Sequence, residues 1–351
     1  MTASQQAMDE LTLDLSEVLA AYAVGEVRAV ASAGGTAGKC WRVVAATGEY
    51  FLRHRGARTS SREALEFDHA LRRHLVARGV PTAEPRKTTS GETWVYAGSR
   101  AFELYPFVKG RPFAGRPAEL IATAKALAHF HQVTAGFPAR GSYHPIPTQF
   151  ALAAPEVGGS ARMDDPELVL AAFEGLARRD PAMGSAAELA RRLVRDYPAS
   201  MYDALPRWLI HGDYHPGNLL YSPSGRVAGI FDLDWACEHT RSHDLADGVY
   251  FFCSQRPDRL DGGSIESLSE AAEPDFERAV CFLRTYAEAL PLTPAEVRAI
   301  PLALRARWLA ARLEGSAKVP PERQTWFITR GLEIPLRWVD ARSEDLVRAV
   351  L

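Results

Sequence analysis

Two short segments hold the side chains best placed to do chemistry: HGDYHPGN at 211–218 and FDLD at 231–234. The first sets Asp213 and Asn218 five residues apart, and the second adds Asp232 and Asp234 directly after an apolar run. Between them, SPSG at 222–225 separates two short apolar stretches and predicts a β-hairpin closed by a type I or related turn. A hairpin brings its two ends together, so the carboxylates and the amide oxygen should converge. Oxygen donors of this kind suit a hard cation such as Mg²⁺. A carboxylate that stays off the metal can take the proton of an attacking hydroxyl. That division of labour is the core of phosphoryl transfer to an alcohol. His211 and His215 also have the i, i+4 spacing of a zinc-binding helix, but Gly212 between them and Pro216-Gly217 after them argue against a helix here.

Positioning these segments requires a frame. A chain of 351 residues predicts two domains or one two-lobed unit. Its 41 Lys and Arg against 43 Asp and Glu leave a net charge of −2, which excludes the basic footprint of a general nucleic-acid binder. The 47% hydrophobic and 24% charged shares exclude disorder over most of the length. Cys40, Cys237, Cys253 and Cys281 are far apart with no C-x-x-C pair, as in a reducing compartment. The amino terminus lacks a signal-peptide pattern, and no apolar run reaches the roughly 18 residues of a membrane span. The expectation is a soluble, cytoplasmic protein with neither nucleic-acid nor membrane partners.

Residues 27–55 read as three consecutive antiparallel strands around the Thr47-Gly48 turn. A helix follows over 60–78, with Ser60 or Ser61 as N-cap and Gly79 and Pro81 ending it. ETWVYA and RAFELYPFV form a further strand pair about Gly98 and Ser99. After KGRPF the pattern becomes helical: PAELIATAKALAHFHQV, PELVLAAFEGLARR, AAELARRLVRDY, FERAVCFLRTYAEAL and PAEVRAIPLALRARWLAARLEG. The fold class is therefore α+β, with a small antiparallel-sheet lobe over 1–104 and a mainly helical lobe over 105–351. Two stretches rich in Gly, Pro, Ser and Asp, 139–165 and 255–275, read as long loops of the kind that act as lids. His129 and His131 read as packed or capping residues, and Trp308, Trp326 and Trp338 as packing for the carboxy-terminal helices.

The 211–234 constellation resembles the aminoglycoside phosphotransferase and choline kinase-like family, whose members share the two-lobed protein-kinase fold. Its signature, H-G-D-x-H-x-x-N, an apolar hairpin and D-x-D, is met by His211, Gly212, Asp213, His215, Asn218, Asp232 and Asp234. The resemblance implies that Asp213 is the catalytic base, that Asn218 and Asp232 hold Mg²⁺, and that Asp234 is an accessory acidic position. It leaves His211 and His215 to position the loop by hydrogen bonds. HDLAD, with Asp244, resembles the structural Asp that braces the loops of the family's large lobe.

Upstream, SAGGTAGK (32–39) resembles the family's lid over the ATP phosphates, with Gly34, Gly35 and Gly38 allowing close backbone approach. A plain hairpin turn is the alternative for these glycines. A Walker A loop is excluded, because strands rather than a helix follow it. Where the family carries Lys, YFLRHR places Arg53, which keeps the charge and offers a fork. The plain alternative for Arg53 is a strand residue on a wet face, as neighbouring Arg55 reads. Glu66 is the expected helical partner, with Glu63 and Asp68 as alternatives and a surface pair with Arg62 or Arg73 as the plain reading. FELYPFVKG (102–110) resembles the hinge between the lobes, where backbone groups of Glu103 and Tyr105 would meet adenine.

Within the family, AAYAVGEV, LVARGVP and FDLDWACEHTRSHDLA resemble the homoserine kinase-like branch and a related branch of stress-response Ser/Thr protein kinases. The resemblance implies an ATP- and Mg²⁺-dependent kinase, with ATP between the lobes and a small-molecule hydroxyl as acceptor: an amino acid alcohol, amino alcohol, sugar or aminoglycoside. A Ser/Thr protein kinase and a catalytically silent nucleotide-binding module are the competing readings.

Overall fold

A computed structural model describes residues 15–33, 40–56, 59–138, 164–254, 265–270 and 273–351. Gly34, Gly35 and Gly38, and most of the two expected loops, lie outside these residues. The chain divides into two compact units, Met1–Lys109 and Gly110–Leu351. The division expected at residue 104 would cut a strand that runs to Pro106.

The first unit contains helix α1 (Leu15–Ala20), strands β1 (Val27–Ser32), β2 (Cys40–Ala45) and β3 (Gly48–His54), helix α2 (Arg62–Val76), and strands β4 (Val95–Ala97) and β5 (Arg100–Pro106). The strands form one five-stranded antiparallel sheet in the order β1-β2-β3-β5-β4. Side chains alternate between the faces of a strand. Tyr50 and Leu52 of β3 therefore share a face with Phe102 and Leu104 of β5, and they pack with Val43, Ala45 and the α1 residues Val18 and Leu19 into an apolar core.

The other face is built from charge. Glu103 of β5 and Arg55, just after β3, meet Asp68, His69 and Arg72 of α2, and each of the five is at most 3% exposed. Arg55 Nε donates to Glu103 Oε2 at 2.8 Å and its Nη2 to Asp68, while Arg72 Nε donates to Asp68 Oδ1 at 2.9 Å. His69 bridges Glu103 and Thr93. Burial opposes the charge of both acids, yet Arg55 and the His69 hydrogen bond hold Glu103 well below the carboxylate range. Arg72 and Arg55 lower the pKa of Asp68 against the same opposition. Arg55 is thus an interior residue rather than the wet-face residue its strand position suggests. Removing one partner of a buried pair strands the other charge, so Arg55→Met should lower stability by about 3–5 kcal/mol. Guanidinium denaturation midpoints check this, and a loss near zero would contradict it.

The second unit is mainly helical: α3 (Pro117–Thr134), α4 (Pro166–Arg179), α5 (Gly184–Asp196), α6 (Ala199–Asp203), α7 (Ser242–Phe252), α8 (Phe276–Ala289), α9 (Pro294–Ser316), α10 (Gln324–Thr329) and α11 (Glu333–Val350). α8 packs on α3, and α9 packs on α7 and α11. A reciprocal cap starts α9: Thr293 Oγ1 accepts from Glu296 N at 3.2 Å, and Glu296 Oε2 accepts from Thr293 N at 2.8 Å. No described helix is long and apolar enough to cross a membrane.

Four short strands lie among these helices. β6 (Arg207–Ile210) pairs with β9 (Cys237–Thr240), and β7 (Leu219–Tyr221) pairs with β8 (Val227–Ile230). The β7–β8 hairpin turns through SPSG as expected, with Gly225 N donating to Ser222 O at 2.9 Å. The β6–β9 pair is additional, and it encloses the hairpin. Segments 211–218 and 231–236 are therefore each anchored at both ends, by the outer ladder on one side and the inner ladder on the other.

Candidate active site

The inner ladder begins at Leu219 and ends at Ile230, so Asn218 and Phe231 adjoin its same end, where Phe231 N donates to Asn218 O at 2.9 Å. Asn218 Nδ2 donates to the backbone O of Asp213 at 2.8 Å and to its Oδ2 at 3.1 Å. With its amide nitrogen bound to two acceptors, Asn218 has its Oδ1 left for a cation. Across from it, Asp232 adopts φ 56° and ψ 63°, and it is the one non-glycine with positive φ among the described residues. Such a conformation is costly for a residue with a Cβ and persists where the surroundings over-determine it. Asp234 follows in the single-turn helix Leu233–Trp235.

His211 and His215 have distinct tasks. His211 is fully buried; its Nε2 donates to Phe231 O at 2.9 Å, and its Nδ1 accepts from Asp213 N at 3.3 Å. This ring ties the segment carrying Asp213 to the residue before Asp232. Burial lowers its pKa, which keeps it neutral and able to do both. His215 Nδ1 accepts from Gly217 N at 3.1 Å, which fixes the proton on Nε2, 3.4 Å from Asp213 Oδ2. His215 thus touches the candidate base itself. Burial opposes the charge of Asp213, but His215, with Arg307 and His211 behind it, holds this carboxyl well below the usual range.

Asp244 braces the segment. Its Oδ2 accepts from His211 N at 2.7 Å and its Oδ1 from Gly212 N at 2.9 Å, while His131 Nε2 approaches Oδ2 at 3.0 Å. His131 in turn bonds Tyr286 Oη at 2.7 Å, so this histidine belongs to the bracing rather than to general packing. Burial works against the charge of Asp244, and the His131 hydrogen bond and the neighbouring imidazoles bring its pKa down to about 2. Gly212 has φ +80°, and a Cβ there would lie 2.2 Å from Trp235 O, so only glycine fits.

In the first unit the placement differs from expectation at two points. Glu66 is exposed and pairs with Arg62 at 3.4 Å, whereas the buried acid of α2 is Asp68, which the 100°-per-residue turn of the helix rotates inward. Glu103 and Tyr105 do not offer their backbone to a ligand. Arg55 N donates to Ala101 O and Phe107 N to Glu49 O, and antiparallel alternation then turns the groups of residues 103 and 105 toward β3. Leu104 O, on the other side, accepts from Arg86 N at 2.6 Å. Arg53 is half-buried, in register with Glu103, and its charge helps to lower that acid's pKa.

Asp247 and Arg307 escaped the sequence reading: Asp247 closes the HDLAD segment but was given no role beside Asp244, and Arg307 belongs to no motif. Arg307 Nε donates to Asp247 Oδ1 at 2.7 Å, and Arg307 also pairs with Glu314. Burial raises Asp247 to a pKa of about 6.

The model of the phosphotransferase enzyme family matches residues 29–281, which include every residue of this constellation from His211 to Asp247. The chain belongs to the phosphotransferase enzyme family. A homoserine kinase of Parvibaculum lavamentivorans is 27% identical over 319 residues, covering 88% of this chain and 87% of the relative. One from Methylocella silvestris is 28% identical over 317 residues, with 88% and 87% covered. Among solved structures, an aminoglycoside phosphotransferase from Alicyclobacillus acidocaldarius has a TM-score of 0.62 at 18% identity, covering 96% of each chain. An aminopropanol kinase associated with a microcompartment has 0.60 at 15%, covering 96% of this chain and 99% of its own. An amicoumacin kinase solved with AMP-PNP and Ca²⁺ has 0.61 at 15%, covering 98% and 94%. The protein is a kinase-type phosphotransferase with the protein-kinase-like fold of this family.

Two outcomes test the bracing of this phosphotransferase site. Gly212→Ala should cost about 1–3 kcal/mol in strain and lower turnover, since no rotamer can relieve a Cβ–backbone contact. Thermal melts and steady-state rates check it. The folded pKa of Asp244 lies below its ordinary 3.8, so its contribution is present above that value and lost as pH falls through about 2. Asp244→Asn should therefore flatten the fall in stability between these pH values by roughly 2 kcal/mol, whereas equal slopes in both proteins would refute the role.

Proposed function

We propose that the protein transfers the γ-phosphoryl group of ATP to the hydroxyl of a small molecule, an amino acid alcohol, amino alcohol or sugar, with Mg²⁺ as the cation. The observation that carries this reading is the Asn218 amide bonded to both the backbone and the carboxylate of Asp213, beside an Asp232 held in a left-handed conformation. The oxygen-only donor set fits Mg²⁺, which Asn218 Oδ1 and Asp232 would hold. The ion would neutralise charge on the transferring phosphate.

Asp213 orients the acceptor hydroxyl. Its lowered pKa makes it a weak base, which suits a loose transition state in which the proton leaves late and positioning supplies most of the catalysis. His215, donating from Nε2, keeps that carboxylate ionised and aimed. The first unit would bind the nucleotide, with Arg53 at the phosphates and residues 34–38 over them. For adenine, the carbonyl of Pro106 and the N–H of Val108 replace Glu103 and Tyr105, whose backbone groups face β3. Names of similar proteins support the acceptor class, since the relatives cited are homoserine kinases and one structural neighbour is an aminopropanol kinase.

The test is Mg·ATP consumption with a panel of homoserine, threonine, choline, amino sugars and aminoglycosides. One acceptor should turn over, and Asp213→Ala should reduce that turnover by about 10²–10⁴-fold. Asp232→Ala should weaken Mg²⁺-dependent nucleotide binding. Labelling of protein but of no small alcohol would instead support a Ser/Thr protein kinase, and tight Mg·ATP binding without any transfer a silent module.

A further inference from the structure

A second cluster of ligating side chains lies behind the active-site segment. Asp164, just before α4, His239 on β9 and His243 in the first turn of α7 are 2%, 2% and 6% exposed. One ligand atom from each falls within 4.8 Å of the others. Asp164 Oδ1 is 2.8 Å from His239 Nε2, and its Oδ2 is 3.0 Å from His243 Nδ1.

The outer nitrogens of both rings face carbonyls. His243 Nε2 is 3.3 Å from Gly212 O and His239 Nδ1 is 3.3 Å from Thr240 O. Each outer nitrogen that faces a carbonyl donates to it, and the inner nitrogens converge on Asp164, where a second ring proton or a metal ion supplies the positive charge between them. Imidazoles that donate outward to carbonyls while their other nitrogens converge on a carboxylate have the arrangement that orients histidine ligands around a metal.

Further polar atoms border the cluster: Asp164 Oδ1 approaches His239 Nε2 without the alignment of a full hydrogen bond, and fully buried Tyr197 adds a hydroxyl. Tyr202 Oη, 2.8 Å from His239 Nε2, adds another oxygen. The contrast with Asp68, His69 and Glu103 is informative. That trio has comparable ligand atoms, but Arg55 and Arg72 neutralise it. Among the described residues, the ion partners of Asp164 are the two imidazoles alone.

We propose that Asp164, His239 and His243 form a binding site for Zn²⁺ or a similar borderline divalent metal, separate from the Mg²⁺ site. Two imidazole nitrogens and a carboxylate oxygen are a usual Zn²⁺ set, with Tyr202 or a water completing the coordination. Ligand separations around tetrahedral zinc are about 3.3 Å, so each imidazole nitrogen lies within a few tenths of an ångström of that distance from the Asp164 oxygen it approaches. The ion would join β9 and α7 to the start of α4, and through His243 it would fix the carbonyl of Gly212, next to Asp213.

The test uses Zn²⁺ and Co²⁺ as the only probes. Chelator-treated wild-type protein is reloaded with one of them and desalted, and metal content and visible absorption are measured. The expected result is one Zn²⁺ retained per chain, and a Co²⁺ protein with the intense visible bands of low-coordinate nitrogen ligation. Asp232→Ala should retain the metal, and the double variant His239→Gln/His243→Gln should lose it. Folded wild-type protein that retains no Zn²⁺ above a buffer blank overturns the proposal. So does Co²⁺ with only the weak spectrum of octahedral oxygen ligation, or retention abolished by Asp232→Ala. The wild-type measurements decide the matter even if the double variant does not fold, and none of them depends on kinase activity.

Discussion

The active-site segment depends on one buried carboxylate. Asp244 accepts from the backbone N–H groups of His211 and Gly212, so it fixes the chain immediately before Asp213 by two bonds to the main chain. Its charge would be prohibitive in the interior without compensation. The compensation reaches outward through His131 and Tyr286 to Arg241, which is clamped by Glu296 and lies over Trp208. A chain of polar contacts thus runs from α9 and α8 through α3 to the segment before Asp213. Each link satisfies the next, which is the condition under which such a network rigidifies rather than destabilises.

The first unit solves a related problem by different means. One face of its sheet is apolar and packs α1, while the other holds Arg55, Asp68, Arg72 and Glu103 in alternating charge. Burying so many charges gains little stability over an apolar core of similar volume. What it provides is specificity of placement, because an arginine fork meets a carboxylate in few geometries. α2 is consequently held to β3 and β5 at a defined rotation, with Arg53 beside the same acid, Glu103.

Much of this was legible in the sequence, for identifiable reasons. The order of strands and helices follows from periodicity, and the SPSG turn and the D-x-D after it place Asp213, Asn218 and Asp232 at one end of a hairpin. Helix α7 was not legible as a helix, since ten of its eleven residues are buried and no polar face marks its period. β6 and β9 are too short, and too far apart in sequence, for their pairing to be read. Acids recur along α2, and only tertiary packing shows that Asp68 turns toward the sheet while Glu66 turns outward. The backbone roles given to Glu103 and Tyr105 failed because sequence does not reveal the hydrogen-bonding phase of a strand. Arg307, Asp164 and His239 reach His243 and Asp247 of α7 from three other places in the chain, and sequence spacing carries no signal for that convergence.

The two nested ladders bear on how this protein can change over time. Residues 211–218 and 231–236 are held at both ends by paired strands, so their mutual position does not depend on what closes the inner hairpin. The tip at 222–226 includes exposed Pro223, Ser224 and Arg226. Insertions or deletions there lengthen or shorten a turn without passing strain to Asn218 or Asp232. The hairpin tip is therefore an evolutionary slack point set between two invariant distances, where a lineage can acquire new surface while its chemistry stays in register.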